Sequence, residues 1–197
     1  MPQFDFISAA ISSFSLVSLA EIGDKSQLVC MALAARHRHW PVLFGASAAF
    51  ILLNILAVAF GASVAAWLPE VVIATLVGLM FLVFGIQALK AADEEEAVSV
   101  EEKSGHGIFF TAFTLIMVSE FGDKTQIAVA GLSTSYSALA VWMGSTIALI
   151  MTSALGIWAG KRLFGKLPLH WLHRVGGVVF LVFAGLASYR VFELLGG

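Results

Sequence analysis

Charge is what this sequence has least of. Of its 197 residues, 12% are charged and 59% are hydrophobic, whereas a soluble domain is about one quarter charged. The mean hydropathy is +0.93. These values exclude an ordinary soluble domain and place the chain in a lipid bilayer. The single cysteine, Cys30, excludes an internal disulfide and any paired-cysteine metal or redox site. There is no basic cluster of the kind that reads nucleic acid, and the net charge of −2 says little as an average. The N-terminal MPQFDFISAAISSFSLVSLAEIGDK has no basic residue ahead of its apolar stretch. It therefore reads as a retained first span and not a cleaved signal peptide. No lipidation signal and no nucleotide-binding motif is found.

Long apolar runs are what the chain has instead. Crossing a hydrocarbon core of about 30 Å takes about 20 apolar residues of helix. Six stretches qualify, at 6–35, 41–67, 71–91, 107–133, 138–160 and 171–194. Pro41 fits the first turn of the second, and AWLPE and GKLPLH interrupt the chain between spans two and three and between spans five and six. The five tryptophans fall near predicted span ends, as an interfacial belt or ordinary packing would place them. One long polar stretch, 92-ADEEEAVSVEEKSGHG-107, divides the chain into 1–91 and 107–197 around an acidic linker at 92–106.

The two halves repeat each other. A gapless shift of 99 residues places 21-EIGDKSQL-28 on 120-EFGDKTQI-127, Gly45 on Gly144, Gly61 on Gly160, and 81-FLVF-84 on 180-FLVF-183. Leu68-Pro69 falls on Leu167-Pro168, and roughly 30% of positions from Phe14 to Ala88 are identical to their partners. Apolar composition alone does not bring charged and proline matches into one register, so the chain is internally duplicated. Three spans per half is an odd number, so the second half enters the membrane from the opposite side. The expected fold is all-α integral membrane, with six transmembrane helices arranged as an inverted-topology 3+3 repeat. Arg36, Arg38, Lys90, Lys103, Lys161, Arg162, Lys166 and Arg174 fall on one side, and Arg190 alone on the other. The positive-inside rule then makes the linker cytoplasmic and puts both termini outside.

Glu21 and Asp24 are three residues apart, which on a continuous helix puts them on one face, with Gln27 extending it and Lys25 able to reach back to Glu21. Glu120, Asp123, Gln126 and Lys124 repeat the arrangement. Each charge placed centrally in a bilayer costs roughly 2.5–3.5 kcal/mol on insertion scales, so these six side chains must face one another or water. An in-plane two-fold axis brings spans one and four together at the midplane. Four carboxylates then converge with Ser26, Thr125, Gln27 and Gln126 as neutral donors, and Gly23 and Gly122 permit close approach or local unwinding. An all-oxygen site suits Ca²⁺, Mn²⁺ or Mg²⁺ and lacks the Cys and His ligands expected for Zn²⁺ or Cu⁺. Lys25 and Lys124 balance the four carboxylates to a formal −2, the charge that one divalent cation neutralises. Without the metal, repulsion among clustered carboxylates favours protons in its place, and that competition is the core of an antiporter.

The sequences 21-EIGDKS-26 and 120-EFGDKT-125 resemble the Glu-x-Gly-Asp-Lys-Ser/Thr signature of the Ca²⁺/Mn²⁺–proton antiporter family. That family includes bacterial manganese exporters and the Golgi manganese/calcium transporter of eukaryotes. The resemblance extends over the whole chain, and both motifs match at every defined position. It implies cation binding by Glu21, Asp24, Glu120 and Asp123, supported by Ser26, Thr125, Gln27 and Gln126. It also implies manganese export, a preference for Mn²⁺ over Ca²⁺ that the residues do not supply. The cation and protons are cargo, and no cofactor is expected. The bilayer expected is a bacterial inner (plasma) membrane, and homo-oligomerisation is left open.

A passive cation channel built from the same carboxylates, and an intramembrane enzyme using the paired aspartates as acid and base, are the rival readings. No nucleophile or access loop favours the enzyme. Among weaker features, Asn54, Ser153, Ser47 and Thr146 either hydrogen-bond between helices or line the cation path, and so do Ser15, Ser18 and Thr114. His37, His39, His170 and His173 sit beside arginines at predicted interfaces and read as anchors; 93-DEEE-96 reads as a solvated linker, with cation steering as its functional alternative.

Overall fold

A computed structural model describes residues 2–91, 107–163 and 169–196. The linker 92–106 and the Leu167-Pro168 turn lie outside the described residues, and so do the side chains of Lys161, Arg162, His170, Trp171 and His173. Among the described residues the chain is entirely helical. Its elements are α1 (Pro2–Glu21), α2 (Lys25–Arg36), α3 (His39–Trp67), α4 (Glu70–Ala91), α5 (Ile108–Glu120), α6 (Lys124–Ser135), α7 (Ala138–Leu163) and α8 (Leu169–Gly196).

Local chemistry fixes the boundaries. Pro41 lies in the first turn of α3, where its missing N–H leaves no bond unmade. α3 stops at Trp67, just ahead of Leu68-Pro69, because the residue before a proline is pushed out of helical geometry. The Pro69 carbonyl then accepts from the N–H groups of Val72 and Ile73, and Glu70 places negative charge in the first turn of α4. Helices α2 and α6 end alike: His37 N–H donates to the Leu33 carbonyl and Tyr136 N–H to the Leu132 carbonyl.

Among the described residues four helices, α3, α4, α7 and α8, are long and apolar enough to cross a membrane. The α1–α2 pair passes the same test as one span bent by 67°. α5 is a shorter apolar helix. The stretches 6–35 and 107–133, each expected as one span with local unwinding permitted at its glycine, are each two helices separated inside the charged motif. The cause is a glycine in each motif with positive φ, 88° at Gly23 and 78° at Gly122, a conformation that no continuing α-helix contains.

The long helices α3 and α7 pack on each other at the centre. α1 lies against α7 and α5 against α3; α2 also meets α7 and α6 meets α3. α4 and α8 pair together at the periphery, where Leu79, Val83, Val182 and Leu186 remain exposed as a lipid-facing surface requires. The core interleaves large side chains, among them Phe50, Leu16, Val17, Ile116 and Val141, with fully buried alanines at 46, 49, 112 and 148. Within it, Asn54 Nδ2 donates to Thr146 Oγ1 at 3.0 Å, so this polar pair ties α3 to α7. Such small residues let helix backbones approach where no hydrophobic effect drives association. Gly45 is the sharpest case: a Cβ there would collide with the Phe109 carbonyl oxygen and lie 3.0 Å from Ala112 Cβ. Gly144 stands likewise against the Ala10 carbonyl oxygen, at the same 99-residue offset for both partners.

These contacts are to backbone, which has no rotamer to escape into. Gly45→Val and Gly144→Val should each lower stability by roughly 1–3 kcal/mol or more, read as a fall in the melting temperature of the solubilised protein. Gly185→Ala is the comparison: its Cβ would meet nothing within 4 Å, so that variant should melt no lower than wild type.

Candidate cation site

Each motif straddles a helix break, and the two breaks are built alike. Glu21 is the last residue of α1 and Glu120 the last of α5; Lys25 and Lys124 open α2 and α6. In the first break, Asp24 N–H donates to the Glu21 carbonyl at 3.1 Å. In the second, Asp123 N–H donates to the Glu120 carbonyl at 3.2 Å. Between them, the glycine N–H turns to the motif glutamine: Gly23 N–H donates to Gln27 Oε1 at 2.7 Å and Gly122 N–H to Gln126 Oε1 at 2.6 Å. Asp24 and Asp123 are then the N-caps of α2 and α6, both with extended backbone. The Asp24 carboxylate accepts from its neighbour's N–H at 2.8 Å, whereas Asp123 makes no side-chain capping bond. An aspartate at a helix N-terminus is favoured by the positive end of the helix dipole, which offsets part of the desolvation of the charge.

The breaks also bring the halves together. α1 touches α6 and α2 touches α5, and carboxylate oxygens of Glu21, Asp24 and Asp123 lie within 4.8 Å of one another. Glu21, 1% exposed, accepts from Ser26 Oγ at 3.1 Å and from Thr125 Oγ1 of the other half. Lys124 Nζ crosses between the halves to pair with Asp24 Oδ2. Glu120 is also buried, at 6% exposure, but stands outside the three-carboxylate group. Gln27 Nε2 donates to the Thr152 carbonyl of α7 at 2.7 Å, and Gln126 Nε2 to the Leu53 carbonyl of α3 at 3.2 Å. Lys25 begins α2 as an exposed residue.

The expected set is thus distributed in a particular way. Glu21, Asp24, Asp123, Ser26, Thr125 and Lys124 converge. Gln27 and Gln126 have their carboxamide oxygens engaged by glycine N–H groups. Glu21 and Asp24 do not share a helical face, because Gly23 ends the helix between them. Sequence reading missed the Thr152 and Leu53 carbonyls, since a backbone acceptor leaves no trace in residue identity.

A cation held about 2.4 Å from each oxygen allows oxygen–oxygen separations up to about 4.8 Å, so the three carboxylates are spaced to share one hard cation.

The break requires a residue that tolerates positive φ, and around Gly122 there is open space for a side chain. Substitution there isolates backbone strain: Gly122→Ala should destabilise by roughly 1–2 kcal/mol, and Gly122→Asn by less, since Asn visits this region more readily. Thermal unfolding of the two variants measures the order; an alanine variant as stable as wild type would contradict the assigned turn.

The sequence matches the family described as "Divalent cation/proton antiporter GDT1" over residues 9–96 and 108–193. A GDT1-like protein of Synechocystis is 30% identical over 90% of this chain and 95% of its own length. A Vibrio cholerae protein named "Putative manganese exporter" is 30% identical over 93% of this chain and 92% of its own. A GDT1-like protein of Schizosaccharomyces pombe is 26% identical over 95% of this chain and 84% of its own. No solved structure matches the chain. With a family match over both halves and relatives aligned nearly end to end, this chain belongs to the GDT1 family of divalent cation/proton antiporters, integral membrane transporters and not enzymes.

Proposed function

We propose that this protein exports a divalent cation, Mn²⁺ first and Ca²⁺ second, in exchange for protons, through the carboxylate cluster where the two motifs meet. The observation that carries the reading is the approach of Glu21, Asp24 and Asp123 within 4.8 Å, two from one half and one from the other. Manganese is favoured by the Vibrio cholerae relative's name and by the family resemblance; the oxygen donors suit either ion. Glu21, Asp24 and Asp123 are the assigned ligands, with Ser26 and Thr125 holding Glu21 and Glu120 as a fourth carboxylate nearby. Gln27 and Gln126 reach the cation only by releasing their glycine N–H groups. Lys124 balances charge at Asp24, and Lys25 occupies the same place in the other motif.

The proposed architecture is a six-span inverted repeat of 1–91 and 107–197, with α1–α2 and α5–α6 as broken spans. Supporting it are paired helix contacts, α1 on α7 with α5 on α3, and α2 on α7 with α6 on α3. Further support comes from hydrogen bonds that recur at one 99-residue offset, Gln27 to Thr152 and Gln126 to Leu53. Discontinuous helices of this kind put half-helix ends at a central site, around which the halves rock to expose it to each side in turn. The assigned setting is a bacterial inner membrane with the linker cytoplasmic and both termini outside, as the basic residues direct. Protons and metal compete for the same oxygens, so loading one side with protons releases metal there.

Reconstituted vesicles test this directly. Mn²⁺ or Ca²⁺ movement should follow an imposed proton gradient and carry protons the opposite way, while Zn²⁺ moves poorly. Metal flux indifferent to the gradient would mean a channel. Asp24→Asn and Asp123→Asn should each lower transport about 100-fold or more while leaving membrane insertion intact, since a partly buried charged partner is worth several kcal/mol. Full activity in both would remove the site from where it is placed.

A further inference from the structure

We propose that Gln27 and Gln126 are positioning residues, each latching a broken motif to the long helix of the opposite half, and that positions 156 and 57 set how tightly each latch closes. Its consequence for transport rests on the carrier reading above; its structural content does not.

Each glutamine spends both ends of its carboxamide. Gln27 Oε1 takes the Gly23 N–H at 2.7 Å and its Nε2 donates to the Thr152 carbonyl in α7 at 2.7 Å. Gln126 does the same between the Gly122 N–H, at 2.6 Å, and the Leu53 carbonyl in α3, at 3.2 Å. The bridge joins a donor freed by the helix break to a carbonyl inside a packed helix, which has a second lone pair to offer. Only a side chain with one acceptor and one donor in this geometry can make it: ionised glutamate lacks the donor, and methionine has no donor and only a weak sulfur acceptor. The bond crosses the two halves, so the loop carrying Asp24 is tied to α7 and the loop carrying Asp123 to α3.

The latches are unequal, 2.7 Å for Gln27 and 3.2 Å for Gln126, and the residue at the matching position of the opposing long helix differs with them. At Gly156 a Cβ would lie 2.6 Å from Gln27 Cγ and 3.2 Å from the Gln27 carbonyl oxygen. Gly156 is therefore what lets Gln27 seat fully against α7, one helical turn beyond the carbonyl it binds. The position 99 residues earlier is Ala57, buried at 4%. There the methyl is present, and the corresponding bond is the longer one. Gln27 is 2% exposed, whereas Gln126 is half-buried and Phe121 beside its loop is 67% exposed. The first loop is gripped and the second is held loosely, so the second is the one that yields first as the cation enters or leaves.

Amide hydrogen exchange on the metal-free full-length protein and Mn²⁺–proton exchange in vesicles test the latch together. Wild type should exchange faster at residues 121–123 than at 22–24. Gly156→Ala, which alters no atom of Gln27, and Gln27→Met should each speed exchange at 22–24 by about five- to tenfold, the worth of one hydrogen bond. The double variant should go no further than the single ones. Ala57→Gly should slow exchange at 121–123. In vesicles, Gly156→Ala should lower kcat about tenfold and leave KM for Mn²⁺ within about threefold, the pattern of lost positioning and not of a lost ligand. Unchanged exchange at 22–24 in Gly156→Ala, or a KM that rises as far as kcat falls, would overturn the proposal. Wild-type vesicles without metal–proton exchange would defeat the carrier reading, while the exchange rates at 22–24 and 121–123 would still decide the latch.

Discussion

Everything in this structure answers to one constraint: carboxylates buried in an apolar protein must find partners, because neither lipid nor hydrocarbon side chains can supply them. Glu21 is 1% exposed and Glu120 6% exposed, in a chain with 12% charged residues. An unbroken helix offers such groups little, since its own N–H donors are spent on its own carbonyls. The breaks at Gly23 and Gly122 release donors, set aspartates at helix N-termini, and turn the two halves' side chains toward each other. Glu21 accordingly takes hydroxyl donors from both halves, Ser26 from its own and Thr125 from the other.

The same geometry explains why the cluster is cross-bonded. Lys124 pairs with Asp24 across the halves, and each motif glutamine binds a carbonyl of the opposing long helix. The proposed cation site depends on the relative placement of two halves and not on one helix alone. That dependence suits the proposed carrier, in which moving one half against the other would change the ligand set.

Close backbone approach is what makes those cross-bonds reachable. Gly45 and Gly144 let α5 and α1 press against the two central helices, and Gly156 admits Gln27 to α7. Asn54 and Thr146 join α3 to α7 at 3.0 Å. These are packing features of a membrane interior, where small residues and hydrogen bonds hold helices together in place of the hydrophobic effect.

The membrane class, the family and the 99-residue register of the two charged motifs were legible in the sequence, because composition, signature and register are properties of residue order alone. The register even foretold which residues would play matching parts, as Gln27 and Gln126 do. The spacing of Glu21 and Asp24 misled, because a three-residue separation puts two side chains on one face only if the helix continues, and Gly23 at a φ of 88° ends it. Tertiary structure alone decided that Lys124 answers Asp24 of the other half, that Glu120 is not among the three carboxylates gathered within 4.8 Å, and that Thr152 and Leu53 serve through their carbonyls. The physical reason is common to all three. Residue order fixes which groups a chain carries and where its helix can break, but distances between groups a hundred residues apart, and the roles of backbone atoms that every residue shares, exist only once the two halves have packed.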